Sequence, residues 1–276
     1  LGEMTAASVL MQSNIKFNGA LVMQIFGDGP LKLAVVEVQP DLSLRATAKV
    51  VGELGDASTL PEMVNVNNEG KCAITLDPLN KMPGQQPYQG VVPLFDDQRN
   101  KLDKFSDVLQ HYMLQSEQLD TTLVLAANDT TAAGLLIQRL PIKGEGNLAA
   151  KASMEDEDEI GRNEDYNRIS ILAASLTADE LLNLDAETIL RRLFWEEKLV
   201  QFEPLTPSFA CSCSRERVSN MIRSLGTDEV ESILAERGNV EVGCDFCGQQ
   251  YHYDAVDAAH IFTGADVQPP SPSSLQ

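Results

Sequence analysis

The sequence predicts an α+β chain with an N-terminal antiparallel-sheet domain carrying helices, a helical linker and a small C-terminal zinc-binding domain. Three observations predict it. Apolar and β-branched runs bounded by turn residues fill the first 140 positions, the pattern of half-buried strands. The apolar spacing turns helical between Tyr166 and Phe202, and four of the five cysteines fall between Cys211 and Cys247. The expected boundaries are 1–143 for the core domain, 144–207 for an acidic boundary and linker, 208–264 for the cysteine domain and 265–276 for a tail.

Residues 1–14 carry Met4, Ala7, Leu10 and Met11 and read as the back half of an apolar helix. Strands are expected at Ile15–Phe17, Leu21–Phe26, Leu31–Val38 and Leu44–Val51. Asn18-Gly19, Gly27-Asp28-Gly29-Pro30 and Pro40-Asp41 supply the turn chemistry between them, so the run reads as antiparallel hairpins. Gly27-x-Gly29 has no third glycine in register and no following Lys-Ser/Thr, which makes it a hairpin turn rather than a phosphate cradle. Lys71–Leu76 and Gln89–Phe95 extend the sheet across a Pro/Gly/Gln loop, and Cys72 reads as a small buried hydrophobe. Between Leu102 and Gln118 the residues Leu102, Phe105, Val108, Leu109 and Tyr112 fall on one helical stripe. His111 rides beside it as a packing or surface residue. Thr121–Ala127 and Gly134–Leu140 close the domain at Pro141, and Asn128-Asp129-Thr130 is a turn.

The run Glu155-Asp156-Glu157-Asp158-Glu159 then forms a solvated boundary that lacks the apolar residues to bury itself. Beyond it Tyr166–Leu176 reads as a helix, Thr177 caps a short second and Asp185 a third. Trp195, Leu199, Val200 and Phe202 follow, a large apolar load for a connector. Either it packs on the N-terminal sheet, or it is a surface held down in one state and released in another.

The last domain opens on Cys211-Ser212-Cys213 and closes on Cys244-Asp245-Phe246-Cys247-Gly248. A tetrahedral zinc with sulfurs at about 2.3 Å needs them roughly 3.8 Å apart, and each short spacing supplies one edge of such a tetrahedron. Gly248 is placed to take the positive φ that closes the second turn. Cys211, Cys213, Cys244 and Cys247 are therefore the candidate ligands of one zinc ion per chain. Between the pairs two helices are expected, the second capped by Thr227 or Asp228 and ended by Gly238. A hairpin at Val240–Val242 and Gln250–Tyr253 and a last helix with Val256, Ala259 and Phe262 complete the domain. His252 and His260 read as bystanders to a set already complete. The tail from Gln268 to Ser274, with three prolines, is disordered by composition.

Composition narrows the function. With 21 Lys and Arg against 41 Asp and Glu, the net charge of −20 opposes phosphate neutralisation and so nucleic acid as partner. No eighteen-residue apolar run and no leader pattern occurs in a sequence that opens on Leu1-Gly2, so a cytoplasmic protein without a membrane partner is expected. In a reducing cytosol, clustered cysteines mean metal or redox work. Thiolates are also what oxidants attack, so peroxide at this site should eject zinc. A Cys-x-x-Cys disulfide closes readily, whereas an extended Cys-x-Cys spans about 6.6 Å, near the upper limit for a disulfide. The pair Cys244–Cys247 should therefore oxidise before Cys211–Cys213. A domain of about sixty residues with so small a core should then unfold.

At these residues the chain resembles a known family. Cys211-Ser212-Cys213-Ser214-Arg215-Glu216-Arg217, Ser232-Ile233-Leu234-Ala235-Glu236 and Cys244-Asp245-Phe246-Cys247-Gly248 are similar to the bacterial redox-regulated holdase chaperones of the heat shock protein 33 family (HslO). Gly27-Asp28-Gly29-Pro30, Tyr88-Gln89-Gly90-Val91-Val92 and Ser116-Glu117-Gln118-Leu119 agree, so the resemblance spans nearly the whole chain. It implies a non-enzymatic, ATP-independent chaperone of the oxidative and heat stress response, zinc-bound and inactive when reduced. On oxidation it would unfold locally, bind aggregation-prone clients and form a homodimer, with residues 166–207 as a metastable linker. The sequence departs from the family in starting at Leu1 without the family's upstream portion, and in a longer loop at Asp77–Tyr88 and a longer acidic insert. Two other classes fit parts of the pattern. A thiol-disulfide oxidoreductase would use Cys244 and Cys247, but wants them at a helix start. A zinc-ribbon module binding nucleic acid is disfavoured by the charge.

Overall fold

The structure is a computed structural model that describes residues 1–55, 58–82, 84–139 and 164–263. The acidic boundary, the domain end at Pro141 and the tail lie outside the described residues. The chain divides into two compact units, Leu1–Phe209 and Ala210–Gln276.

In the first unit helix α1 (Gly2–Asn14) precedes strands β1 (Gly19–Phe26), β2 (Leu31–Val38) and β3 (Ser43–Val50). Helix α2 (Leu60–Val64), β4 (Lys71–Pro78), β5 (Tyr88–Val92), α3 (Phe105–Glu117), β6 (Thr121–Ala127) and β7 (Ala132–Gln138) follow. Three linker helices, α4 (Glu164–Ala174), α5 (Ala178–Asn183) and α6 (Ala186–Phe194), lead to the two-residue strand β8 (Ser208–Phe209). The main sheet runs β5-β4-β1-β2-β3-β8, and β6-β7 form a separate ribbon. All pairs are antiparallel except β3–β8, where Ser43 and Leu44 pair with Ser208 and Phe209 and the Ser208 N–H donates to the Leu42 carbonyl at 3.2 Å.

Alternation places one face of this sheet inside. Leu21, Met23 and Ile25 of β1 stand in register with Val38, Val36 and Ala34 of β2 and with Leu76, Ile74 and Cys72 of β4. Helices α1 and α3 cover that row with Met4, Ala7, Met11, Val108 and Leu109. Cys72 is fully buried as expected, and burial pushes its thiol up to about 12, so it is an inert core filler. On the opposite face Arg45 pairs with Glu37 at 2.6 Å across β2–β3.

Several local expectations change. Ile15–Phe17 is not a strand. The Ile15 N–H still bonds the Met11 carbonyl at the end of α1, and Phe17 folds over Gly19, where a Cβ would stand 2.3 Å from its ring. Gly19, expected in a turn, already pairs with Pro78. Helix α2 was not anticipated, although Thr59 and Glu62 form its capping box. The strand expected at Gln89–Phe95 ends at Val92, and Phe95 makes only an isolated bridge to Lys101. Gly27-Asp28-Gly29 is the β1–β2 turn, as expected. It also serves as an anchor: the Asp28 carboxylate accepts backbone N–H groups of Val66, Asn67 and Glu69 at 2.6–2.9 Å. Gly29 allows that approach, since a Cβ would lie 2.4 Å from the Met63 carbonyl oxygen. His111 is a packing residue, 3.5 Å from Asp97.

The linker helices pack on the β6–β7 ribbon rather than on the six-stranded sheet. Ala126, Leu176, Leu181 and Ile189 form a small separate cluster there. Thr177 caps α5 through a capping box with Glu180, and Asp185 caps α6 through the Thr188 N–H, both at the expected positions. Helix α4 meets β6 through polar contacts, with Thr122 2.9 Å from the hydroxyls of both Tyr166 and Ser170. Beyond α6, Trp195, Val200, Phe202 and Leu205 are exposed, and Glu197 pairs back to Arg168. No helix among the described residues is long and apolar enough to cross a membrane.

The second unit contains α7 (Arg215–Leu225), α8 (Thr227–Arg237), β9 (Val240–Gly243), β10 (Gln250–Tyr253) and α9 (Ala255–Thr263). Ile222, Val230, Val240, Tyr253, Ala258 and Ile261 form its core. Neither Thr227 nor Asp228 caps α8. Gly226 alone separates it from α7 and takes the cap position at φ 90°, so Thr227 is already helical. Gly238 ends α8 in the left-handed region, as expected.

Candidate metal centre

The first cysteine pair lies on the irregular segment that leads into α7 and is fixed from behind by that helix. The Ser214 hydroxyl caps that helix by accepting the Arg217 N–H at 3.2 Å, and the Arg217 guanidinium donates back to the Ser212 carbonyl and hydroxyl at 3.0 and 2.7 Å. The second pair occupies the turn between β9 and β10. The Cys244 N–H donates to the Gln249 carbonyl at 2.9 Å and the Gly248 N–H to the Cys244 carbonyl at 2.8 Å. Gly248 takes φ 73° with open space where a Cβ would stand. The turn closes by backbone strain that only glycine escapes.

These two supports bring the four sulfurs together. The Sγ atoms of Cys211, Cys213, Cys244 and Cys247 all lie within 4.8 Å of one another, the one such group of His, Cys, Asp or Glu among the described residues. Cys211 and Cys244 are 3.6 Å apart and Cys213 and Cys247 3.4 Å, so the two motifs meet sulfur to sulfur. A metal bound by four thiolates at about 2.3 Å needs sulfurs separated by roughly 3.8 Å, and the cluster fits that requirement. His252 stands apart, 3.4 Å from Glu241, and neither it nor His260 belongs to the group.

The protons are unevenly held. Burial raises the Cys211 thiol, but the backbone N–H of Cys213 and hydrogen bonds from Cys213, Cys247 and Cys244 outweigh it and lower it to about 6. At Cys247 the Gln249 N–H favours the thiolate. Hydrogen bonding with Cys213 and its neighbours, together with burial, overrides that and pushes it up to about 12. One thiol of the cluster thus gives up its proton readily and another resists, and a bound cation would remove that conflict by holding both as thiolates. Three of the cysteines are partly buried and Cys247 is exposed, so small oxidants reach the site.

Sequence reasoning missed the groups behind the sulfurs. The neighbouring Cys213 is the foremost cause that pushes the Tyr251 hydroxyl up to about 12, and Arg215 and Arg217 brace the first pair. The arginines were visible as Ser214-Arg215-Glu216-Arg217, but their partners are assembled only by the fold. The placement of Cys244 and Cys247 between two strands also departs from the helix start that a thiol-disulfide oxidoreductase uses.

The chain as a whole is similar to known proteins. A family model described as Hsp33 protein matches residues 1–254. A 33 kDa chaperonin of Chromobacterium violaceum is 47% identical over 262 residues, 95% of this chain and 80% of the relative. One of Methylobacillus flagellatus is 43% identical over 270 residues, 98% of this chain and 83% of the relative. Among solved structures, the 33 kDa chaperonin (heat shock protein 33 homolog) of Thermotoga maritima superposes with a TM-score of 0.70 at 19% identity, covering 95% of this chain and 83% of that one. It shares the fold.

Proposed function

The chain belongs to the Hsp33 family of chaperones, and from that membership we propose that it is a redox-regulated, ATP-independent holdase whose switch is the four-cysteine cluster. The convergence of four sulfurs within 4.8 Å on a unit with a small core carries this reading. Cys211, Cys213, Cys244 and Cys247 are the proposed ligands of one zinc per reduced chain. When bound, zinc would hold the sulfurs as thiolates and contribute apparent folding energy on the order of 10–16 kcal/mol.

Oxidation removes that support. Two thiolates of one pair give up two electrons and form an S–S bond, and hydrogen peroxide takes those electrons with two protons to become two waters. A second peroxide does the same at the other pair, and no thiolate then remains to hold a cation. The sulfurs are close enough in the folded cluster that proximity alone selects no pairing. Loop closure selects it once the site loosens, which favours Cys244–Cys247 first and Cys211–Cys213 second. Disulfides closing such short loops restore little stability. The C-terminal unit then unfolds, and the linker of residues 166–207, held by a small apolar cluster against the β6–β7 ribbon, is the segment freed with it.

Unfolded client proteins are the partners this reading requires, with a homodimer formed on oxidation, in the cytoplasm, and with no nucleotide, nucleic acid or membrane partner. The test compares reduced, zinc-loaded protein with protein treated with peroxide at mild heat in a client aggregation assay read by light scattering. Suppression is expected only after oxidation, accompanied by release of one zinc, loss of helix signal and peptides linked through Cys244–Cys247. Equal activity in both states would refute the switch.

A further inference from the structure

We propose that Arg215 is a positioning residue that holds the Cys211/Cys213 segment against the Cys244/Cys247 hairpin without using the metal, and so sets how fast an oxidant opens the cluster. The proposal rests on the zinc reading above and adds a residue to it.

Arg215 is the second residue after Cys213 and the first of α7. Its guanidinium reaches the other half of the unit in three ways. One nitrogen donates to the His252 carbonyl at 3.1 Å, another to the Asp257 carboxylate at 2.9 Å, and its central carbon lies 4.3 Å from the centroid of the Tyr253 ring. Tyr253 closes the circuit from the other side. It is 1% exposed in the core of the unit, its hydroxyl donates to the Arg215 carbonyl at 2.9 Å, and it accepts from the Ser219 hydroxyl at 3.2 Å.

The start of α7, which follows one ligand pair, is thereby tied to the end of β10, which follows the other. The planar fork of an arginine makes all three contacts at once, and an ammonium does not span them in one geometry. The other arginines of α7 do different things. Arg217 reaches only Ser212 in its own segment, and Arg223 ties Ile261 at the far end of the helix. Arg215 alone is both next to a ligand and bonded across.

Once Cys244 and Cys247 have formed their disulfide, Cys211 and Cys213 hold a cation with half the donors, and the clamp decides how long the two halves stay together. Without it the halves separate sooner, so metal loss and oxidation of the second pair follow faster.

The full chain, reduced and zinc-loaded, tests this in the wild type, R215Q, R215K, D257N and the control R223Q. Each is treated with hydrogen peroxide while zinc release, thiol loss and helix signal are followed, and the thermal midpoint of the untreated form is recorded. Groups that orient ligands from behind typically change metal binding by about 10–100-fold, so R215Q should release zinc about tenfold faster. R215K should fall between it and the wild type, R223Q, which removes a tie remote from the ligands, should release zinc near the wild-type rate, and the midpoint of R215Q before oxidation should hold. If R215Q does not fold, D257N, which removes the charge of one partner, should still accelerate release. Wild-type release rates in both R215Q and D257N would overturn the clamp and leave the zinc reading intact. A fall in the midpoint that accounts for the faster release would also overturn it, as would no difference between R215K and R215Q. A wild type that carries no zinc would overturn the zinc reading, and the clamp with it.

Discussion

Among the described residues, twenty-one buried ones, from Met4 on α1 to Leu123 on β6, pack into one cluster in the N-terminal unit, whereas six do so in the C-terminal unit. The cysteines divide along the same line. Cys72 fills a gap in the larger core with its thiol held at about 12 by burial, while the other four stand at or near the surface, where Cys211 is drawn down to about 6 by its neighbours' hydrogen bonds against the pull of burial. Apolar burial at about 25 cal/mol per Å² sustains a large core without help and leaves a small one marginal. A unit that depends on a few bonds of one chemical kind is lost when that chemistry changes. The proposed switch therefore belongs in the smaller unit, and the difference can be probed by removing the proposed cross-link from one and apolar volume from both.

The largest effect should come from the ligands. Replacing Cys211 and Cys213 by serine should remove on the order of 10 kcal/mol of apparent support and leave the C-terminal unit unfolded. Hydrogen exchange should show α7, α8 and α9 losing protection while β1, β2 and β4 keep theirs. Protection retained in α7 would mean the six-residue core suffices, and the comparison would fail. A smaller effect follows from matched cavities. Ile74→Ala and Ile222→Ala should each cost about 2–5 kcal/mol. The first should lower the urea midpoint of a unit that stays folded, whereas the second should be tolerated only with zinc bound. Equal tolerance of Ile222→Ala after chelation would break the contrast.

The smallest effect sharpens the comparison through pH. Partial burial raises Asp28, but the N–H groups of Glu69, Asn67 and Val66, helped by Lys101, override it and hold its carboxyl below the usual range. A folded value below the unfolded one of about 3.9 stabilises above that value and is lost as the pH falls through the folded one. Asp28→Asn should thus lower the urea midpoint of the N-terminal unit at about pH 7 and by progressively less as the pH falls below about 3.9. A mutant curve parallel to the wild type across that range would show that the carboxylate charge is not what secures the turn.

Much of this was legible in the residues. Alternation located β1, β2 and β4, Thr177 and Asp185 announced their helices, and the cysteine spacing with Gly248 located the candidate site. What failed was decided at longer range. Ile15–Phe17 has strand composition, but Phe17 folds over Gly19 and pairing begins there. Thr227 has cap chemistry, but one glycine between two helices leaves no room for it. The Thr59–Glu62 capping box was present in the sequence and lay unnoticed between two loops. The partners of Arg215 lie 37 to 42 residues away, beyond any local pattern.

The short strand β8 has a consequence of its own. Beyond Glu197, which Arg168 retains, residues 198–207 lie in neither helix nor strand, and β8 fastens their far end to β3 by two residues and the hydrogen bond from Ser208 to Leu42. If that clasp parts, those ten residues become slack with a reach of about 35 Å. Phe202 and Leu205, exposed already, would then travel on a leash of that length.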